Sequence, residues 1–153
     1  MIQRVQSAYL AIALLIQSLQ LRLTWTVYHT ESSDFMLTGM YNQVPEVNSI
    51  PLAVGLGTSL VLILMSVFTF RKRTNQMKLI DLTMLQMVVV IGLFSWIHYQ
   101  NIEVMEQGVV GKLIDIEYKI TVILPLISLV FCWLAKKSVK KDDDLVKSVD
   151  RLR

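Results

Sequence analysis

A single cysteine, Cys132, in 153 residues excludes an internal disulfide framework, and its place within an apolar run marks it as a small core residue. Histidine is almost as scarce: there are two, His29 and His98. With Glu31, Glu103 or Asp115 they are conceivable metal ligands. No H-x-x-x-H, cysteine pair or H-E-x-x-H accompanies them, however, so neither a metal nor a cofactor is expected. No serine or cysteine sits in a recognisable nucleophile elbow or beside a neighbouring base, and no G-x-x-x-x-G-K phosphate loop occurs. The expectation is a non-enzymatic chain with no catalytic residue. A net charge of +3 would suggest nucleic acid in a soluble protein. Here the Lys and Arg residues flank hydrophobic segments, as membrane topology demands, and nucleic acid is discounted.

What the chain has instead is apolar length. Four runs, about residues 5–25, 50–70, 79–98 and 116–135, fill most of it. A hydrocarbon core ~30 Å thick is crossed by about 20 helical residues at ~1.5 Å each, which the second and third runs clearly supply. Gln17 and Gln20 interrupt the first run and no A-x-A-like cleavage site closes it, so it is read as a retained span rather than a secretory signal. Pro125 predicts a kink inside the fourth. The expected fold class is an all-α membrane protein, a four-transmembrane-helix bundle over residues 1–141 with a tail over 142–153.

Orientation follows from basic residues near the helix ends, because short Lys- and Arg-rich loops stay cytoplasmic. Arg4, then Arg71, Lys72, Arg73 and Lys78, then Lys136, Lys137, Lys140, Lys141, Lys147, Arg151 and Arg153 fall on one side. The other side has only Arg22, Lys112 and Lys119, amid Glu31, Asp34, Glu46, Glu103, Glu106, Asp115 and Glu117. Both termini are therefore expected inside the cell. Trp25 and Tyr28, Trp96 and Tyr99, and Trp133 stand at run ends, where aromatic rings favour the headgroup zone. The short connection around residues 71–78 predicts that spans two and three are antiparallel neighbours.

Between the spans, β-branched and aromatic residues around 25–28 and 35–41 admit two short strands. Ile114, Ile116, Tyr118 and Ile120 alternate with Asp115, Glu117 and Lys119 in the period of a half-buried strand. A small outer sheet is one reading and an early start to the fourth helix the other. Gly108 and Gly111 are placed for a turn before that segment.

Several residues are candidates for packing or partner contacts. Gln3, Gln6, Ala13, Gln17 and Gln20 share one face of the first helix; unpaired amides are costly in hydrocarbon, so that face is read as an interhelical seam or as a polar path for a solute. In the second span, Ala53 with Gly57 and Gly55 with Ser59 stand four apart and permit close helix approach. Asp81 is read as a first-turn carboxylate of the third span, stabilised by the helix dipole and by Arg71, Arg73 or Lys78. In the tail, Asp142 or Asp143 is placed as a cap, Leu145, Val146, Val149 and Leu152 recur at helical spacing, and Lys147, Arg151 and Arg153 stand towards its end, as the helix dipole favours. This predicts a short amphipathic cytoplasmic helix that rests on anionic lipid or docks on a protein.

The opening MIQRVQSAYL and the closing KKDDDLVKSVDRLR, with four spans between them, resemble a family of uncharacterised four-helix inner-membrane proteins of Bacteroidota. The resemblance covers the whole chain and implies an inner-membrane location, with Arg4, Asp150, Arg151 and Arg153 in the family's recurring pattern. It implies no activity. The expected role is an accessory or scaffold subunit of an envelope membrane complex. Its partners would be the lipid bilayer and other membrane proteins or a second copy. The alternatives are a small transporter or channel subunit using the glutamine face, and an enzyme acting through His29 or His98.

Overall fold

The computed structural model describes residues 2–70 and 72–151, with side chains described over 5–70 and 72–148. Helix α1 spans Ile2–Arg22. It stops where the chain turns to Thr24, Trp25, Thr26, Val27 and Tyr28, a β-branched and aromatic run that packs better on a pleated surface than in a helix. That run is β1, Thr24–Thr30, followed by β2, Asp34–Thr38. Helix α2, Ile50–Phe68, opens with Pro51 in its first turn, where a missing N–H costs nothing. Helix α3, Arg73–Glu106, runs 34 residues, about 51 Å at the standard rise. Gly108, at a φ of 73°, turns the chain away after it. Strand β3, Leu113–Tyr118, and a 3₁₀ turn, Ile120–Ile123, lead into α4, Leu124–Arg151.

The helices pack in a closed cycle, α1 against α2 and α4, and α3 against α2 and α4. As expected, α2 and α3 are neighbours across a short connection. The three strands form one antiparallel sheet in the order β2-β1-β3, with Tyr28 opposite Phe35 on one side and Ile116 on the other. The outer sheet is thus present, and Gly108 and Gly111 precede its third strand. Two apolar clusters fill the interior. One joins Trp25, Tyr28 and Leu37 of the sheet to Leu52 and Leu56 of α2 and Phe94 and Ile97 of α3. The other, at the opposite end, gathers Leu10, Ala13, Ile63, Ile80, Met87, Cys132 and Val139. Cys132 is the small buried core residue expected of it.

Trp25 and Tyr28 are not interfacial anchors at the end of the first span: they belong to β1 and are buried in the sheet's core. Of the aromatics expected at span ends, Trp96, Tyr99 and Trp133 are the exposed ones. Pro125 does not kink a span, because residues 113–118 form β3 and α4 begins at Leu124; the ring occupies the first turn. The tail is not a separate short helix, for α4 continues unbroken to Arg151. No glycine or proline lies between Ala135 and Asp142, and the Lys-rich sequence there is helix-favouring.

Three helical segments, α2, α3 and Ile120–Ser148, are long and apolar enough to cross a membrane. Helix α1 completes the bundle and carries the buried Gln6, Gln17 and Gln20.

Candidate functional site

The densest polar construction lies where the sheet meets α3. Strand β1 presents Tyr28 at the centre of the sheet, α3 places His98 and Asn101 one turn apart, β3 brings Tyr118, and the loop after β2 brings Asn42. The Tyr28 hydroxyl lies 2.7 Å from His98 Nδ1, and His98 Nε2 lies 3.0 Å from the Tyr118 hydroxyl. Asn101 Nδ2 donates to the Tyr28 oxygen at 3.3 Å, and Asn42 Nδ2 donates to Asn101 Oδ1 at 2.6 Å. One proton arrangement satisfies the chain: Tyr28 donates to Nδ1 of a neutral imidazole whose Nε2–H donates to Tyr118. Tyr28 and Phe94 both stack on the His98 ring, with centroids 5.6 Å and 5.8 Å away. Burial pushes the Tyr28 hydroxyl up to about 12, against the smaller opposing effect of the Asn101 hydrogen bond. A tyrosine so held stays protonated at neutral pH and acts as a hydrogen-bonding latch rather than a base.

The two histidines are not brought together. His29 Nδ1 lies 2.7 Å from Asp34 Oδ1, and its Nε2 is 4.0 Å from Glu117, on the exposed side of the sheet. Among the described residues no group of three His, Cys, Asp or Glu side chains is placed to hold a metal.

The glutamine face of α1 points inward. Gln6, Gln17 and Gln20 are all buried, and Gln17 Nε2 donates to Ser59 Oγ of α2. Gln76 of α3 joins the interior by donating to the Ser66 carbonyl at 3.1 Å. Gln6 Oε1, Gln17 Oε1, Gln76 Oε1 and both amide atoms of Gln20 are buried without a protein hydrogen-bond partner. The side chain of Gln3 lies outside the described residues.

The two small-residue pairs of α2 part company. Gly55 is buried against Val90 and Leu93 of α3, and Ser59 is buried with it. Gly57 has open space where a Cβ would stand, beside the exposed Val54 and Val61.

Asp81 corrects the sequence reading. Because α3 starts at Arg73 rather than near residue 79, Asp81 falls in the third turn, beyond the reach of the terminal dipole, and it pairs with Lys136 of α4. Arg73 pairs instead with Asp142, Nη2 to Oδ2 at 2.7 Å. Asp142 and Asp143 are therefore not caps but lie inside α4, the second pairing with Lys147 one turn on. Leu145 and Val146 are exposed. The side chains of Val149 and Arg151 lie outside the described residues, as do Leu152 and Arg153 entirely. Sequence reasoning missed the latch because Asn42, Asn101, Tyr28 and Tyr118 are far apart in the chain. The signal available was Asn101, a polar residue on the buried stripe of α3.

The class of fold this chain has is a sheet-capped helical bundle, three of whose helical segments are long and apolar enough to cross a membrane. The chain belongs to the family described as a domain of unknown function, DUF4293, whose model matches residues 2–152. No curated protein matches it.

Proposed function

We propose that this protein is a non-enzymatic accessory or scaffold subunit of an envelope membrane complex, seated in the inner membrane with both termini in the cytoplasm. The observation that carries the reading is the use of polar side chains at the outer end. Asn42, Asn101, Tyr28, His98 and Tyr118 are engaged with one another and hold a three-stranded sheet fixed on the bundle. Side chains arranged to keep an external platform rigid suit a part on which other chains assemble. The one-sided distribution of Lys and Arg supports the orientation.

The test is a gentle-detergent purification of the tagged full-length protein at native abundance, repeated without residues 144–153 and with Asn101→Leu. A stoichiometric companion that is lost with one of these changes is the expected result; a chain that purifies alone overturns the reading. A reporter after Arg153 should read cytoplasmic and one near Asn42 outside, and the reverse would refute the orientation.

A second reading, a small transporter or channel subunit using the polar face of α1, is favoured by the buried amide atoms of Gln6, Gln17, Gln20 and Gln76 that have no protein partner. Loss of a solute flux in stable Gln17→Leu and Gln20→Leu proteins would select it over the scaffold.

A further inference from the structure

The charges at the inner end of the bundle are sorted. Asp142 turns to Arg73 of α3, Asp143 to Lys147, and Lys136 to Asp81 of α3. None of the ion pairs among the described residues takes up Lys137, Lys140 or Lys141, which are all exposed. Along that exposed side of α4 the residues change character in order. Leu126, Val130 and Trp133 are each about half exposed and apolar, and one turn beyond Trp133 stands Lys137, its Nζ 5.4 Å from the indole ring. Lys140 and Lys141 follow on the next turn.

Two shallow troughs line this face. One of about 320 Å³ is bounded by Trp133, Lys136, Lys137 and Lys140, and one of about 520 Å³ by Lys137, Lys140, Lys141, Asp144, Leu145 and Ser148. They adjoin at Lys137 and Lys140, which line both, as two parts of a shallow groove on α4. It runs from the apolar end of a membrane-length segment into a cluster of three cations offset by the single carboxylate of Asp144.

We infer that this groove binds an anionic phospholipid, whose phosphate is held by Lys137, Lys140 and Lys141 and whose acyl chains lie along Leu126, Val130 and Trp133. The ligand must offer negative charge and hydrocarbon on one molecule, because the groove presents cations and apolar surface one helical turn apart. A free phosphate would meet only the first half. Trp133 occupies the level at which an indole ring bridges the two environments. The inference rests on α4 crossing the bilayer and is independent of the scaffold reading.

The experiment is native mass spectrometry of the full-length protein in detergent, titrated with phosphatidylglycerol or with phosphatidylcholine of the same acyl chains. Three Lys contacts offset by one carboxylate should give about a tenfold preference for phosphatidylglycerol. The preference should shrink towards unity in about 0.5 M salt, where exposed charges are screened. Lys137→Gln, Lys140→Gln and Lys141→Gln together should remove it, and Lys112→Gln at the other end should not. Equal retention of the two lipids by the wild-type protein, or a preference that survives the triple change, overturns the assignment. Displacement of bound lipid by soluble glycerol phosphate as readily as by phosphatidylglycerol would overturn the acyl half. Displacement by a short poly-glutamate peptide would assign the face to an acidic protein instead. The salt series uses only the wild-type chain, so the test stands even if the triple variant folds poorly. Failure of α4 to cross would appear separately in the Arg153 reporter.

Discussion

Gly39 is the point at which the sheet rests on the bundle, and Gly39→Ala measures how much that seat matters. A Cβ built there would lie 2.2 Å from the backbone oxygen of Gln20, 2.8 Å from Leu56 Cδ1 and 2.9 Å from Leu21 Cα. Heavy atoms are at ease from about 3.5 Å, so relief requires a shift of about 1 Å. Two of the three obstacles are backbone atoms of α1, which cannot rotate away. The oxygen in question is the one to which Trp25 Nε1 donates at 2.9 Å. Overpacking costs ~1–3 kcal/mol and the weakened hydrogen bond ~1 kcal/mol, so a cost of about 3 kcal/mol is expected, concentrated on the cap. Hydrogen exchange in detergent reads it directly. Amides of β1 and β2 should lose about a hundredfold of protection, since 1.4 kcal/mol is a factor of ten, while mid-α3 amides change little. Protection of β1 within about twofold of wild type, or an equal loss along α3, would refute the reasoning. Gly57→Ala and Gly92→Ala, where a Cβ meets nothing within 4 Å, are the contrasting cases and should stabilise their helices by ~0.5–1 kcal/mol.

Other outcomes follow from the same contacts. The raised Tyr28 pKa favours the protonated hydroxyl in the folded state, so its contribution is intact below pH 10 and is lost as the pH rises through about 12; Tyr28→Phe should remove that part of the alkaline unfolding profile of the cap. Arg73→Ala should lower stability by about 1–2 kcal/mol in thermal or denaturant unfolding, because the Asp142 carboxylate it leaves is largely shielded. Asp81→Asn should cost less than about 1 kcal/mol, its pair with Lys136 being well exposed; a larger loss than for Arg73→Ala would reverse this ranking. Gln20→Leu should be neutral or stabilising, because neither amide atom has a protein hydrogen bond to lose, and a fall of several degrees in melting temperature would refute this.

The elements most legible in the sequence were those written in local periodicity. The alternation from Ile114 to Ile120 and the β-branched and aromatic residues around 25–28 admitted strands, the reading that holds over an early helix start, and the common face of Gln6, Gln17 and Gln20 marked a side of α1 that is buried. Boundaries were harder to read. Trp25 ends a hydrophobic run and so looks like the foot of a span, although its indole N–H finds its partner only when the chain doubles back onto Gln20. The partners of Asp81 and Asp142 were unreadable because they are set by how α3 and α4 lie alongside each other, with Lys136 55 positions beyond Asp81 and Arg73 69 positions before Asp142. The latch is equally long-range, joining Tyr28 to His98 and Asn42 to Asn101 across two helices. Each polar residue is visible locally, but an isolated asparagine or histidine does not name its mate.

The order of the strands has a bearing on how the molecule comes into being. Strand β1 is made early and sits in the middle of the sheet, yet one of its two edges is completed by β3, which the chain reaches only after both α2 and α3 have been made. Until then β1 has a single neighbour, β2, and one row of its backbone groups lacks a strand partner. The sheet therefore closes only when residues on both sides of the central helical hairpin have arrived at the same end of the bundle. A chain whose central helical hairpin is misplaced leaves β1 with one edge unpaired, and an unpaired edge is a template for pairing with another chain.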